Sequence, residues 1–180
     1  MKRLILSLCD RTGEWSRPYK EAGYEVIRVE LSEGHDVRTY QLSRNKVWGV
    51  LAAPPCTVFA ISGARWTRTP TDMLHGLSIV DACLRIAYVT KPQWWALENP
   101  IGTLHRFIGE PTLTFQPYWY GDPYTKRTCL WGRFNRPKRN DVHPEDGSKM
   151  IKHGGGSEDT KIKRSTTPAG FAKAFFEANP

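Results

Sequence analysis

Trp48–Gly63, WGVLAAPPCTVFAISG, sets a single cysteine on a stiff turn directly after an apolar, uncharged run. Val47–Ala53 is rich in Val, Leu and Ala, which suits a strand covered on both faces in an open α/β sheet. Pro54 and Pro55 end that strand, because neither can donate to a ladder or continue into a helix. The chain must therefore leave the sheet and present Cys56 beyond the strand's carboxyl end, where α/β sheets bind their ligands. A cysteine in a proline-stiffened loop has no chemistry by itself. It becomes a site only if the flanking chain supplies a cofactor site, an acid and a substrate surface.

Upstream, Arg3–Cys9 (RLILSLC) reads as the first strand and ends in Asp10. A turn at Thr12-Gly13 follows, then helical potential through Tyr19–Ala22 that stops at Gly23, and a second strand, Tyr24–Val29, that ends in Glu30. Strand, turn, helix and strand ending in an acid form the βαβ arrangement of a nucleotide or nucleoside site, with Glu30 placed to accept both hydroxyls of a ribose. Only Gly13 lies in the turn, so a pyrophosphate cradle is disfavoured and a cofactor without phosphates fits better. Asp36, in Gly34-His35-Asp36-Val37, can lie at the rim of the same crevice.

Downstream, Thr67–Asp72 is polar and reads as a loop, and Met73–Val89 carries Leu77, Val80, Leu84 and Ala87 at helical spacing, with Cys83 in the core. Gln93–Leu97 (QWWAL) reads as a buried strand running straight into Glu98-Asn99-Pro100. A carboxylate directly after a buried strand is costly without a partner, so Glu98 should have a raised pKa or a specific hydrogen-bonding task. Thr112–Trp119 is aromatic and β-prone, and Thr128–Trp131 reads as a short strand. Asn135–Arg164 has the composition of an exposed, partly flexible segment. Pro168 then opens an amphipathic helix, Ala169–Glu177, whose Phe171, Ala174, Phe175 and Ala178 can face the core.

At 180 residues, 39% hydrophobic and 24% charged, the chain fits one soluble α/β domain. No run is expected to reach a membrane span, and Met1–Leu8 is too short for a signal peptide. Cys9, Cys56, Cys83 and Cys129 lie far apart, which disfavours a disulfide framework or a zinc knuckle and suggests free thiols in the cytoplasm. The net charge of +8 is uneven: Pro123–Arg164 carries 11 Lys and Arg against 5 Asp and Glu. Such a segment beside a catalytic domain suggests a polyanion partner such as nucleic acid.

Taken in order, these pieces resemble the DNA (cytosine-5) methyltransferase family. LCDRTGEWSRPYKEAGYEVIRVE resembles its cofactor loop and ribose-binding acid, HDV its acidic third motif, and APPCTVFAISG the motif that carries the nucleophile. LENP resembles the Glu-Asn motif, GDPYTKRTCLWG the Gly-x-Pro motif, and TTPAGFAKAFFEAN the closing helix. The resemblance implies a Rossmann-like S-adenosylmethionine-dependent methyltransferase fold in a single three-layer domain. Cofactor-binding residues would be Asp10, Gly13, Trp15, Glu30, Asp36, Val37 and Pro54. Cys56 would add to cytosine C6 and Glu98 would contact N3 and the amino group, with Lys126 or Arg127 steadying the base carbonyl. Asn99, Ser62 and Arg65 would meet the substrate, and no metal is implied.

The sequence departs from the family in reading CDRTGEW where an aromatic and two glycines are usual, and Tyr124 where a Gln is usual. Residues 133–164 are a short, basic, Gly-rich insertion in place of a target-recognition domain, within a catalytic domain made of 1–132 and 165–180. A region so small can track phosphates but can hardly read bases. The expectation is a minimal enzyme of the type that phages encode, acting on duplex DNA with a flipped cytosine, with relaxed sequence preference or a protein partner for recognition. The rivals are the same chemistry on RNA, single-stranded DNA or a free nucleotide, and a catalytically silent relative that binds DNA.

Overall fold

In the computed structural model, residues 2–42, 46–61, 67–149 and 157–180 are described. The apolar runs of the sequence pair into one sheet. Strands β1 (Leu4–Leu8), β2 (Glu25–Val29), β3 (Val47–Ala52), β4 (Trp94–Pro100), β5 (Leu113–Phe115) and β6 (Thr128–Arg133) lie in the order β2-β1-β3-β4-β6-β5. The first four are mutually parallel, whereas β6 runs antiparallel to both β4 and β5. Every residue of β1 is buried, as a central parallel strand covered on both faces requires.

Side chains alternate across the pleat and build two cores. On one face Leu4, Leu6, Leu8, Val50 and Leu97 pack with Val80, Cys83 and Ile86 of helix α2 (Pro70–Thr90). On the other, Ile5, Leu51, Ala96 and Leu130 meet Tyr19 of α1 (Arg17–Glu21) and Phe171 and Phe175 of the C-terminal helix Ala169–Ala178. Phe115 and Phe171 stack at 4.0 Å, and Trp15 sits edge-on to Phe175 at 5.7 Å. Each such buried ring contributes about 1.5–3 kcal/mol through removal of apolar surface from water. Two shorter helices, α3 (His105–Ile108) and α4 (Glu158–Ser165), precede this last one, α5.

Three expectations need correction. β4 does not stop at Leu97: Glu98, Asn99 and Pro100 pair with Leu130, Cys129 and Thr128 of β6, so the acid lies inside a strand rather than after it. Helix α2 begins at Pro70 rather than Met73, because Thr69 and Asp72 form a reciprocal capping box and Pro70 occupies the first turn. At 21 residues α2 is also long and apolar enough, by length and composition, to cross a membrane; here it packs on the sheet and turns Asp81 and Arg85 outward. In addition, α4 forms within the segment expected to be exposed and partly flexible.

Candidate active site

The carboxyl ends of β1, β3 and β4 lie side by side, and each leaves the sheet differently. After β1 the chain turns sharply through Cys9, whose φ of 57° is uncommon for a non-glycine residue, and sets Asp10 under the next loop. Asp10 is buried and is consumed within that loop. Its Oδ2 accepts from Ser7 Oγ at 2.9 Å and Ser16 Oγ at 3.0 Å, and its Oδ1 accepts from the Gly13 N–H at 3.0 Å. Gly13 is left-handed at φ 72°, and a Cβ there would lie 3.0 Å from Arg28 Nη1.

Glu30 follows β2 at the next strand end. It is nearly buried, and its Oε1 accepts from the N–H and hydroxyl of Ser32, capping the 3-10 turn Leu31–Glu33. Asp36 is placed differently. Its carboxylate is taken by the Arg38 guanidinium, whose Nε lies 3.0 Å from both oxygens, and these hydrogen bonds hold its pKa at about 2. Val37 and Trp15 are buried in the two cores. Trp15 lies under α5, a contact that depends on chain more than a hundred residues away.

β3 ends in the Pro-Pro turn. Pro54 is buried and its carbonyl accepts from Asn99 Nδ2 at 3.0 Å. Cys56 then begins a single helical turn, its carbonyl accepting from Phe59 and Ala60 at 3.0 and 2.8 Å. Burial pushes the Cys56 thiol above its ordinary pKa; Lys126 and Arg164 work against that shift and Glu98 adds to it. The four cysteines are all free.

Glu98 and Lys126 are both buried, with Lys126 Nζ 3.7 Å from Glu98 Oε1. Desolvation raises the Glu98 carboxyl above the usual range, although Lys126 opposes it. Lys126 is fixed by its own N–H, which donates to Gln116 Oε1 at 3.0 Å. Arg127, the next residue, points to solvent, as successive side chains in extended backbone do, so Lys126 rather than Arg127 faces Cys56 and Glu98. Glu98 Oε1 and Asn99 Oδ1 are buried with no hydrogen-bond partner among the described residues. Ser62 and Arg65 lie outside the described residues.

Lys149, Tyr124 and Arg164 were not expected as members of this cluster. Lys149 Nζ donates to the Tyr124 hydroxyl at 3.2 Å and the Thr166 carbonyl at 3.4 Å. Its pKa falls to about 8 through burial and then repulsion from Lys126. In sequence it is one of many lysines in a basic stretch, with no motif around it.

The cluster can thus offer a thiol nucleophile, a carboxylic acid able to give or accept a proton, and ammonium groups that stabilise negative charge. No family model and no curated protein matches the sequence. Among solved structures, the chain is similar to an E. coli protein described as a DNA modification methyltransferase encoded within a prophage. The TM-score is 0.54 at 14% identity, over 73% of this chain and 47% of that one, so this chain spans about half the length of its structural neighbour. With the six-stranded sheet and its antiparallel β6, this likeness gives the chain the Rossmann-like methyltransferase fold, as one sheet between two helical layers.

Proposed function

We propose that this protein transfers a methyl group from S-adenosylmethionine to C5 of cytosine in DNA through a covalent adduct on Cys56. The observation that carries this reading is the convergence of Cys56, Glu98 and Lys126 at adjoining strand ends, with Glu98 Oε1 buried, 3.7 Å from Lys126 Nζ, and without a hydrogen bond among the described residues. A buried oxygen that lacks a hydrogen bond is costly even beside a cation, and a ligand with an N–H at that point supplies one. The N3 and amino edge of cytosine is such a ligand. The structural neighbour's description as a DNA modification methyltransferase supports DNA as the acceptor.

The residues present fit the methyl donor at two points. Glu30, a carboxylate with further acceptor capacity, would hold the ribose hydroxyls, and the Asp10–Gly13 turn would border the methionine end. Asp36 does not fit the adenine-binding role, since Arg38 occupies both of its oxygens. When bound, the donor supplies an electrophilic methyl group.

The chain's own residues would act as follows. Cys56, having lost its proton with help from the nearby ammonium of Lys126, forms a bond from Sγ to C6 of the base. Glu98, biased by burial toward its acid form, gives a proton to N3, so the electron pair pushed into the ring is held as an enamine with its nucleophilic carbon at C5. After methylation N3 returns its proton to Glu98, water takes the C5 proton, the electron pair of that C–H bond restores the 5,6 double bond, and Cys56 leaves as thiolate with the electron pair of its bond to C6. The base must leave its stack to reach the crevice. A minimal enzyme of this kind needs relaxed sequence preference, or a partner protein, to find its target.

The test is methylation of genomic DNA by the purified protein, read at base resolution, together with trapping on DNA containing 5-fluorocytosine. Methyl groups at cytosine C5 and a Cys56-linked adduct are expected. Transfer confined to RNA or free nucleotides would change the substrate, and an unchanged adduct in Cys56→Ser would overturn the nucleophile.

A further inference from the structure

The insertion between β6 and α5 does not stand apart from the sheet; its described part folds back on the segment that carries Lys126. Thr125 N–H donates to the Gly147 carbonyl at 2.8 Å, and Lys149 N–H donates to the Thr125 carbonyl at 3.1 Å, a parallel bridge centred on Thr125 and Ser148. Asp146 N–H donates to the Pro123 carbonyl at 2.8 Å. These backbone bonds fix the base of Lys149 next to Tyr124-Thr125-Lys126. Its Nζ lies 4.7 Å from the centroid of the Tyr124 ring, and its two acceptors, the Tyr124 hydroxyl and the Thr166 carbonyl, leave one of the three ammonium donors for a ligand.

The charges around Lys149 do not balance. Lys126 repels it, while Asp122 and Glu98 attract it. Both acids have other commitments. Asp122 Oδ2 accepts from the N–H groups of Gly170 and Phe171, and Glu98 is shared with Lys126. Burial also favours the uncharged form of each acid. Two part-buried or buried ammonium groups beside acids biased toward neutrality leave a region of net positive charge that attracts an anion, and Arg164 at the end of α4 adds positive charge on the Cys56 side. The anion that accompanies any base entering the crevice is its own backbone phosphate.

We propose that Lys149 binds a phosphodiester flanking the nucleotide whose base enters the Cys56–Glu98 crevice, so that the short insertion grips the target strand. The inference rests on the nucleic-acid reading above. A phosphate contact fixes register and strand direction without reading sequence, which suits a chain with so little room for a base-reading module. Its negative charge also offsets the repulsion that Lys126 imposes on Lys149, and that relief is available only when substrate is present.

The experiment is fluorescence anisotropy at pH 7 with a duplex of A·T pairs carrying one cytosine opposite an abasic site. A matching duplex replaces the two phosphates beside that cytosine with neutral methylphosphonates. Neutralisation should weaken binding to the wild type by about tenfold and to Lys149→Met by less than about threefold, while Lys149→Arg keeps the wild-type discrimination. Equal losses in the wild type and Lys149→Met, or no duplex binding by the wild type, would overturn the phosphate contact. A lysine that only ties Tyr124 to Thr166 would give equal losses. Trapping on 5-fluorocytosine in the same duplexes separates the two readings. Phosphate coupling without an adduct sinks methyl transfer and leaves the contact standing; an adduct with equal losses does the reverse.

Discussion

Asn99 Nδ2 donates to the Pro54 carbonyl across 3.0 Å, tying the end of β4 to the turn that presents Cys56. Pro54 is buried, so its carbonyl has no water to fall back on. Asn99→Ala should therefore lower stability by about 1–3 kcal/mol, the cost of leaving that acceptor unpaired, seen as a lower urea midpoint. The same variant should speed alkylation of Cys56 by iodoacetamide, followed by peptide mass spectrometry. Unchanged stability and an unchanged Cys56 rate would show that the proline turn needs no tie.

The Cys56 thiol should be slow to alkylate at neutral pH. Burial holds its pKa above 9.0, and Lys126 and Glu98 pull in opposite directions. The alkylation rate should rise with a midpoint above pH 9. Lys126→Met should move the midpoint up, and Glu98→Gln should move it down. A midpoint below 8 in the wild type would mean that the ammonium outweighs desolvation. The nucleophile would then be pre-activated, with no need for substrate to drive its ionisation.

Lys126→Met should do more than slow the thiol. It leaves the Glu98 carboxyl buried without its cation, and breaking a buried pair in this way costs about 3–5 kcal/mol. Adding Glu98→Gln should recover much of that loss, since no charge is then buried alone. Equilibrium urea unfolding of the two single variants and the double variant measures the coupling. Additive losses would mean that the 3.7 Å contact carries no energy.

How much of this was legible in the sequence depends on whether a feature is local. The run Val47–Ala53 and the prolines after it specify their strand and its end by composition alone, and the structure ends β3 at Ala52. β4 was read three residues short because Glu98-Asn99-Pro100 are held by pairing with β6, which is specified some thirty residues later. Thr69-Pro70-Thr71-Asp72 did carry a local signal, a capping box, but its polarity resembles a loop. Lys126 and Arg127 could not be separated without the register that fixes Thr128 opposite Pro100. Trp15 enters the core by contact with α5, far along the chain, and Lys149 reaches the site through a backbone bridge that no spacing announces.

Lys149 should leave a signature in the pH dependence of stability. Its pKa is about 8 in the folded chain against 10.5 when unperturbed, so between those values the unfolded state binds more protons and folding gains as pH rises. Thiols and tyrosines that burial holds uncharged in the folded chain also contribute to that slope, but they do so in both proteins when the wild type is compared with Lys149→Met. The wild type should therefore gain stability relative to Lys149→Met from pH 8 to 10. For Glu98 the raised pKa has the opposite sign: its contribution is fully present below the ordinary carboxylate value of 4.5 and is lost as pH rises through the folded value. Glu98→Gln should flatten that fall. Parallel curves for each variant and the wild type would remove both assignments.

Asp122 and Gly170 couple the Lys126 segment to the last helix. Asp122 Oδ2 accepts from Gly170 N–H at 3.0 Å and Phe171 N–H at 3.3 Å, acting as a cap supplied from a distant part of the chain. Gly170 is required by proximity rather than by its own backbone angles, because a Cβ there would lie 2.0 Å from the Tyr120 carbonyl oxygen. Asp122→Ala should cost about 0.5–2 kcal/mol, the range for losing a helix cap, and Asp122→Asn less, since its amide oxygen can still accept. Gly170→Ala should cost about 1–3 kcal/mol, because α5 must move off Tyr120 and loosen the stack of Phe171 on Phe115. If α5 and the Tyr120–Lys126 segment move as one body, both Asp122→Ala and Gly170→Ala should also shift the pH at which Cys56 alkylates. A stability loss with an unshifted Cys56 profile would confine the coupling to packing and remove it from the site.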